Sequence, residues 1–160
     1  MKKKKKIILG VIIISIISIV TLVIFIFKNT GKKLYAENYI NYAWGHFESN
    51  LEIYDNGLMI YTANSDEEET KKKIKISNEE LNKLKNLSLL VQDNYTLKKS
   101  DLVMFDVGST TTEIYNKKIG KWIKLSYSAD GGYSGYNESE ETKKILDLVD
   151  DLTEKYNIFN

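Results

Sequence analysis

The chemistry open to this chain is narrowed first by the side chains it lacks. It has no cysteine, hence no thiolate nucleophile, no disulfide framework and no cysteine-ligated zinc. Its one histidine, His46, lies between Gly45 and Phe47, with no second histidine for a metal pair and no serine or aspartate partner at a motif spacing. Acids cluster at 66–69 and 138–141, where loop oxygens could hold Ca²⁺ weakly, but the Asp-x-Asp-x-Asp-Gly ligand order is absent. Among 22 acids no pair stands out for glycoside cleavage. Catalytic and metal-ligating residues are therefore not assigned, and no cofactor is expected.

Binding chemistry has a better candidate. The stretch 129–137, Ala-Asp-Gly-Gly-Tyr-Ser-Gly-Tyr-Asn, combines glycine backbone with the ring faces of Tyr133 and Tyr136 and the polar groups of Asp130 and Asn137. Such a set suits stacking on sugars or on a peptide. Read as a loop, it also leads into a helix N-terminus, where backbone amides attract anions. The plainer reading is a surface loop with turn glycines and ordinary tyrosines. Trp44, in the aromatic stretch 39–47, is the second aromatic candidate. Trp122 and the other tyrosines are what a small sheet uses to fill its core and rim.

One short run, Asp106-Val107-Gly108-Ser109-Thr110-Thr111-Thr112, resembles the first phosphate loop of the actin and sugar-kinase superfamily. The resemblance implies a metal-linked role for Asp106 and approach to nucleotide phosphates at Gly108, Ser109 and Thr110. It covers seven of 160 residues, and Glu113 stands where many members carry a basic residue. That family encloses ATP between two large lobes, which this chain is too short to build. A β-turn between two strands accounts for the same residues.

The elements that must position these residues follow from periodicity. Stretches 39–47, 51–54 and 58–63 read as strands, the last two joined through Asp55-Asn56-Gly57 as a hairpin. Residues 72–76 alternate Lys and Ile, a short strand with one wet face. Ser77 and Glu80 form a capping-box pattern opening a helix whose apolar face is Leu81, Leu84, Leu87 and Val91. After a polar link come strands 102–107, 111–115 and 121–126. A final helix, 139–156, carries Ile145, Leu148, Val149, Leu152 and Tyr156 at helical spacing. The expected fold is α+β, about six antiparallel strands with two helices packed on one face, in the order βββαβββα.

Composition supplies the setting. Through Lys33 the chain carries eight lysines and no acid, while from Leu34 onward 15 lysines meet 22 acids, a net charge of −7. An acidic domain argues against a nucleic-acid partner, because phosphate binding needs clustered positive charge. Residues 7–27 hold no charge and follow five lysines, long enough at about 1.5 Å per residue to cross a bilayer. The expected organisation is a cytoplasmic basic tail at 1–6, an uncleaved transmembrane helix (signal anchor) at 7–27, a juxtamembrane connector at 28–37 and an extracytoplasmic domain at 38–160. A single-pass protein of a bacterial cell membrane is the setting this implies, with the lipid bilayer as one partner. The expected function is non-catalytic binding of an envelope protein or a cell-wall polymer. A membrane-tethered immunity or inhibitor protein, and an unrecognised carboxylate-dependent cell-wall hydrolase, are the alternatives.

Overall fold

The computed structural model describes residues 15–19, 31–42, 45–99, 108–129 and 132–159. The chain divides into two compact units, Met1–Gly31 and Lys32–Asn160. In the first, the described helical run is 15–19, with Ile16, Ile17 and Ile19 exposed. Among the described residues no helix is long and apolar enough to cross a membrane. The transmembrane helix expected over 7–27, with the membrane, single-pass and signal-anchor assignments resting on it, is corrected on that finding; residues 7–14 and 20–27 lie outside the described residues.

Among the described residues the second unit is one eight-stranded antiparallel sheet and two helices. The strands are β1 (Lys33–Asn41), β2 (Phe47–Tyr54), β3 (Leu58–Ser65), β4 (Glu69–Lys75), β5 (Tyr95–Lys99), β6 (Ser109–Asn116), β7 (Lys121–Ala129) and β8 (Tyr133–Asn137). The helices are α1 (Asn78–Leu90) and α2 (Glu140–Lys155). Spatial order is β4-β3-β2-β1-β6-β7-β8-β5. The expected six strands and βββαβββα order are thus corrected to eight strands in the order ββββαββββα.

Each difference has a local cause. β1 begins at Lys33, within the basic stretch read as a connector, and ends at Asn41, while β2 begins at Phe47, so the stretch 39–47 belongs to two strands. Residues 72–75 fall in a full fourth strand, and Ile76 lies just beyond its end. β5 was hidden because an exposed edge strand shows no apolar alternation, and β8 because Tyr-Ser-Gly-Tyr-Asn reads as a loop. The strand expected at 102–107 lies outside the described residues.

The β2–β3 connection is not a two-residue turn. Gly57 N–H donates to the Tyr54 carbonyl at 2.8 Å, and Gly57 alone in that turn takes positive φ, +82°. That is a type I turn closed by a glycine bulge. Asp55 ties it to the start of β1 by accepting Lys32 N–H at 2.7 Å.

One face of the sheet packs on the helices. Tyr35, Ile53, Met59, Ile114 and Ile123 lie at matched register positions and are fully buried against Leu84, Ile145, Leu148 and Leu152. Each such side chain contributes on the order of 1.5–3 kcal/mol. Helix α1 starts at the capping box expected of it: Ser77 Oγ accepts Glu80 N–H at 3.2 Å, and a Glu80 carboxylate oxygen accepts Ser77 N–H at 2.8 Å. Glu80 also accepts Lys155 Nζ at 2.6 Å and the Tyr156 hydroxyl at 2.9 Å, so it joins the start of α1 to the end of α2. The chain then folds back at Asn157, burying Ile158 and setting Phe159 edge-on to Tyr61 at 5.1 Å.

Candidate functional site: the open face of the sheet

The face away from the helices divides into two halves of different chemistry. On β1 and β2 it is polar and closed on itself. Asn38 Nδ2 donates to Asn50 Oδ1 at 2.7 Å and to Glu48 at 3.3 Å, and Asn50 Nδ2 donates to the same Glu48 oxygen at 3.2 Å. Beside them Glu52 pairs with Lys33 and accepts the Tyr54 hydroxyl at 2.6 Å, which pushes the Tyr54 phenol up to about 12. These groups already satisfy one another.

On β6, β7, β8 and β5 the same face is aromatic. Tyr115 and Trp122, directly opposite across β6 and β7, have ring centroids 5.7 Å apart. Further along β7 a bulge places two residues against Thr112, shifting register between Thr112 and Glu113. Its effect is decisive for the surface: Leu125 and Ser126 both turn to the helix side, and Lys124 and Tyr127 share the open one. The Lys124 ammonium then lies between two rings, 5.5 Å from the centroid of Tyr127 and 5.6 Å from that of Tyr95. Tyr95 comes from the edge strand and reaches across β8, where Gly135 leaves it room. Burial, reinforced by the nearby Tyr127, pushes the Tyr95 phenol above its ordinary value. The row ends with Tyr133, over which Lys99 stands at 5.6 Å. Four strands spaced about 4.8 Å apart give a surface roughly 14 Å across.

Trp122 is 38% exposed and Tyr133 43% exposed, so two rings stand well into solvent above half-buried neighbours. The arrangement offers flat apolar faces with two cations held among them, Lys124 opposite Glu113 across β6 and β7, a surface for stacking and, at Lys99 above all, for meeting negative charge. Among the described residues no group of three His, Asp or Glu side chains is placed to hold a metal ion.

The residues expected from the sequence fare differently from one another. Tyr133 is part of the row. Tyr136 sits in the same strand three positions on, which turns it to the opposite face, beside Ser126 and Thr96. Asn137 is fully buried and acts on the backbone: its Nδ2 donates to the Gln92 carbonyl at 2.7 Å and the Lys124 carbonyl at 3.3 Å, and its Oδ1 accepts Ser139 N–H at 3.0 Å. Asp130 and Trp44 lie outside the described residues. Sequence reasoning missed Tyr95, Lys124 and Tyr127. The alternation Trp122–Lys124 was a signal for two of the row, but only the bulge brings Tyr127 to their side.

The phosphate-loop resemblance is answered in part. Asp106 lies outside the described residues, while Ser109 and Thr110 are paired with Ile40 and Tyr39 inside the central strand β6. Gly108, at φ +73°, packs so closely that an added Cβ would stand 2.4 Å from the Ile40 carbonyl oxygen. Close packing against the end of β1 accounts for this glycine. No protein-family model matches the chain, and no curated protein matches it.

Proposed function

We propose that the unit Lys32–Asn160 is a non-catalytic binding module that holds an acidic carbohydrate polymer, of the cell-wall class, on the aromatic half of its open sheet face. The observation that carries this reading is the row Trp122, Lys124, Tyr127, Tyr95 and Tyr133, in which ring faces alternate with ammonium groups. Sugar rings present apolar C–H faces that stack on such aromatics, and carboxylate or phosphate substituents on the polymer meet Lys124 and Lys99. The row is flat and spans several strands, which suits an extended chain better than a small enclosed ligand. Stacking platforms with lysines also serve single-stranded nucleic acid, and the oligonucleotide arm of the test separates the two polymers.

The test is affinity electrophoresis of the full-length chain through gels containing polygalacturonate, neutral dextran or a single-stranded oligonucleotide. Retardation by the acidic glycan, reduced in a Trp122→Ala/Tyr133→Ala variant of unchanged thermal stability, is the expected result. Retardation by the oligonucleotide alone, or an acidic-glycan effect that the double substitution leaves intact, overturns the proposal.

A further inference from the structure

A concavity lies on the other side of the sheet, at the end of β1, β2 and β3. It is a cleft of about 480 Å³ lined by Tyr39, Asn41, Gly45, His46, Phe47, Ser65, Asp66 and Glu67. Tyr39, Asn41, Phe47 and Ser65 share the helix-side face by register. Three rings line it. Tyr39 and Phe47 meet with centroids 5.9 Å apart, and the third, the His46 imidazole, stacks at 5.1 Å on Tyr42, which lies outside the lining. Asp66 and Glu67 come from the β3–β4 turn, which Ser65 holds by accepting Glu68 N–H at 3.1 Å. Asp66 is fixed across the cleft by accepting His46 N–H at 3.0 Å.

From these contacts we infer that the cleft is a site for an organic ammonium group, a methylated or primary amine on a larger ligand. Two carboxylates and no lysine line it, so its own charge is negative. The aromatic walls supply the ring faces that attract cations. A metal ion is a poor fit, since rings take up the places where further oxygen ligands would be needed. The site is independent of the aromatic row, which lies on the other face of the sheet and comes from different strands.

The experiment is titration of the full-length protein with tetramethylammonium, methylammonium and the uncharged isostere 3,3-dimethylbutan-1-ol, followed by proton NMR of the one histidine. Saturable shifts of the His46 ring with one or both ammonium ions, at least tenfold weaker with the isostere, are expected; which ion binds tighter names the amine class. The variant Glu67→Gln should weaken ammonium binding several-fold, and Phe47→Leu should do the same without touching a charge. Because Asp66 also holds the loop, Glu67→Gln is the decisive charge variant. Equal binding of the isostere, an unsaturable shift, or full affinity in both variants overturns the inference. Trp122→Ala should leave the titration unchanged, which separates failure here from failure at the aromatic row.

Discussion

The Tyr95 hydroxyl lies where a side chain at Gly135 would begin: a Cβ built there would stand 1.9 Å from that oxygen. Edge strand and neighbouring strand thus fit through the absence of one methyl group. Gly135→Ala should drive Tyr95 off its place, costing about 1–3 kcal/mol as an overpacking change. It should also remove one wall from Lys124 and so weaken glycan retardation. Chemical denaturation alongside the gel assay checks both, and a fully stable, fully binding Ala variant would refute the placement of Tyr95.

Tyr133 and Tyr136 give a paired test of which face binds. They occupy one strand at odd spacing and point to opposite sides. Tyr133→Ala should weaken binding of the acidic glycan roughly 5–10-fold, the loss of one stacked ring at about 1–1.4 kcal/mol. Tyr136→Ala should leave it within twofold. The reverse result would move the surface to the helix side.

Glu80 should make part of the stability depend on acid pH. Burial alone would raise its carboxyl, but hydrogen bonds from Lys155, Ser77 and Tyr156 outweigh that and hold it down at about 2, from an ordinary 4.5. Depressed in the folded state, it stabilises the fold above about pH 4.5, and that contribution is lost as pH falls toward about 2. Glu80→Gln should cost about 1–2 kcal/mol at pH 7, for the box and the inter-helix bonds together. The cost should shrink on acidification, read from urea midpoints at several pH values.

Asp150 has the opposite sign. Partial burial, then the nearby Asp147 and Asp151, raise its carboxyl above the ordinary 3.8. Burial and the charge of Asp150 likewise raise Glu37, against the bond it accepts from the Tyr35 hydroxyl at 2.8 Å. A carboxyl raised by folding destabilises the fold at high pH and ceases to do so below its unfolded value. Asp150→Asn should therefore raise the melting temperature at pH 7, with the gain gone below about pH 4. A lower melting temperature at pH 7 would count against the repulsion.

What was legible in the sequence was local. Ser77 and Glu80 announce a helix start three residues apart, and Ile145, Leu148, Val149 and Leu152 announce a buried stripe over about two turns. The misread elements depend on partners far along the chain. Gly135 looks like loop flexibility until Tyr95 is laid over it, forty residues away in sequence. The side on which Lys124 and Tyr127 emerge depends on a bulge that no alternation rule reveals. Tyr133 and Tyr136 were grouped because a loop lets neighbouring rings converge, which a strand forbids. Among the described residues of the expected binding set, Tyr133 alone therefore lies in the aromatic row.

The position of β5 has a kinetic consequence. By sequence it follows α1, yet by pairing it closes the far edge beside β8. The hairpins β2–β3 and β6–β7 join neighbours and can form within microseconds, while β1–β6 and β5–β8 must wait for long stretches of chain to be brought together. We expect the five residues Tyr95–Lys99 to dock late in refolding and to open early, an order that pulse-labelled amide exchange reads directly, late protection at β5 being expected and protection simultaneous with β6–β7 refuting it. The surface assigned here to the ligand would then be assembled last, and a ligand spanning β7 and β5 would act as a clasp on the strand that otherwise lets go first.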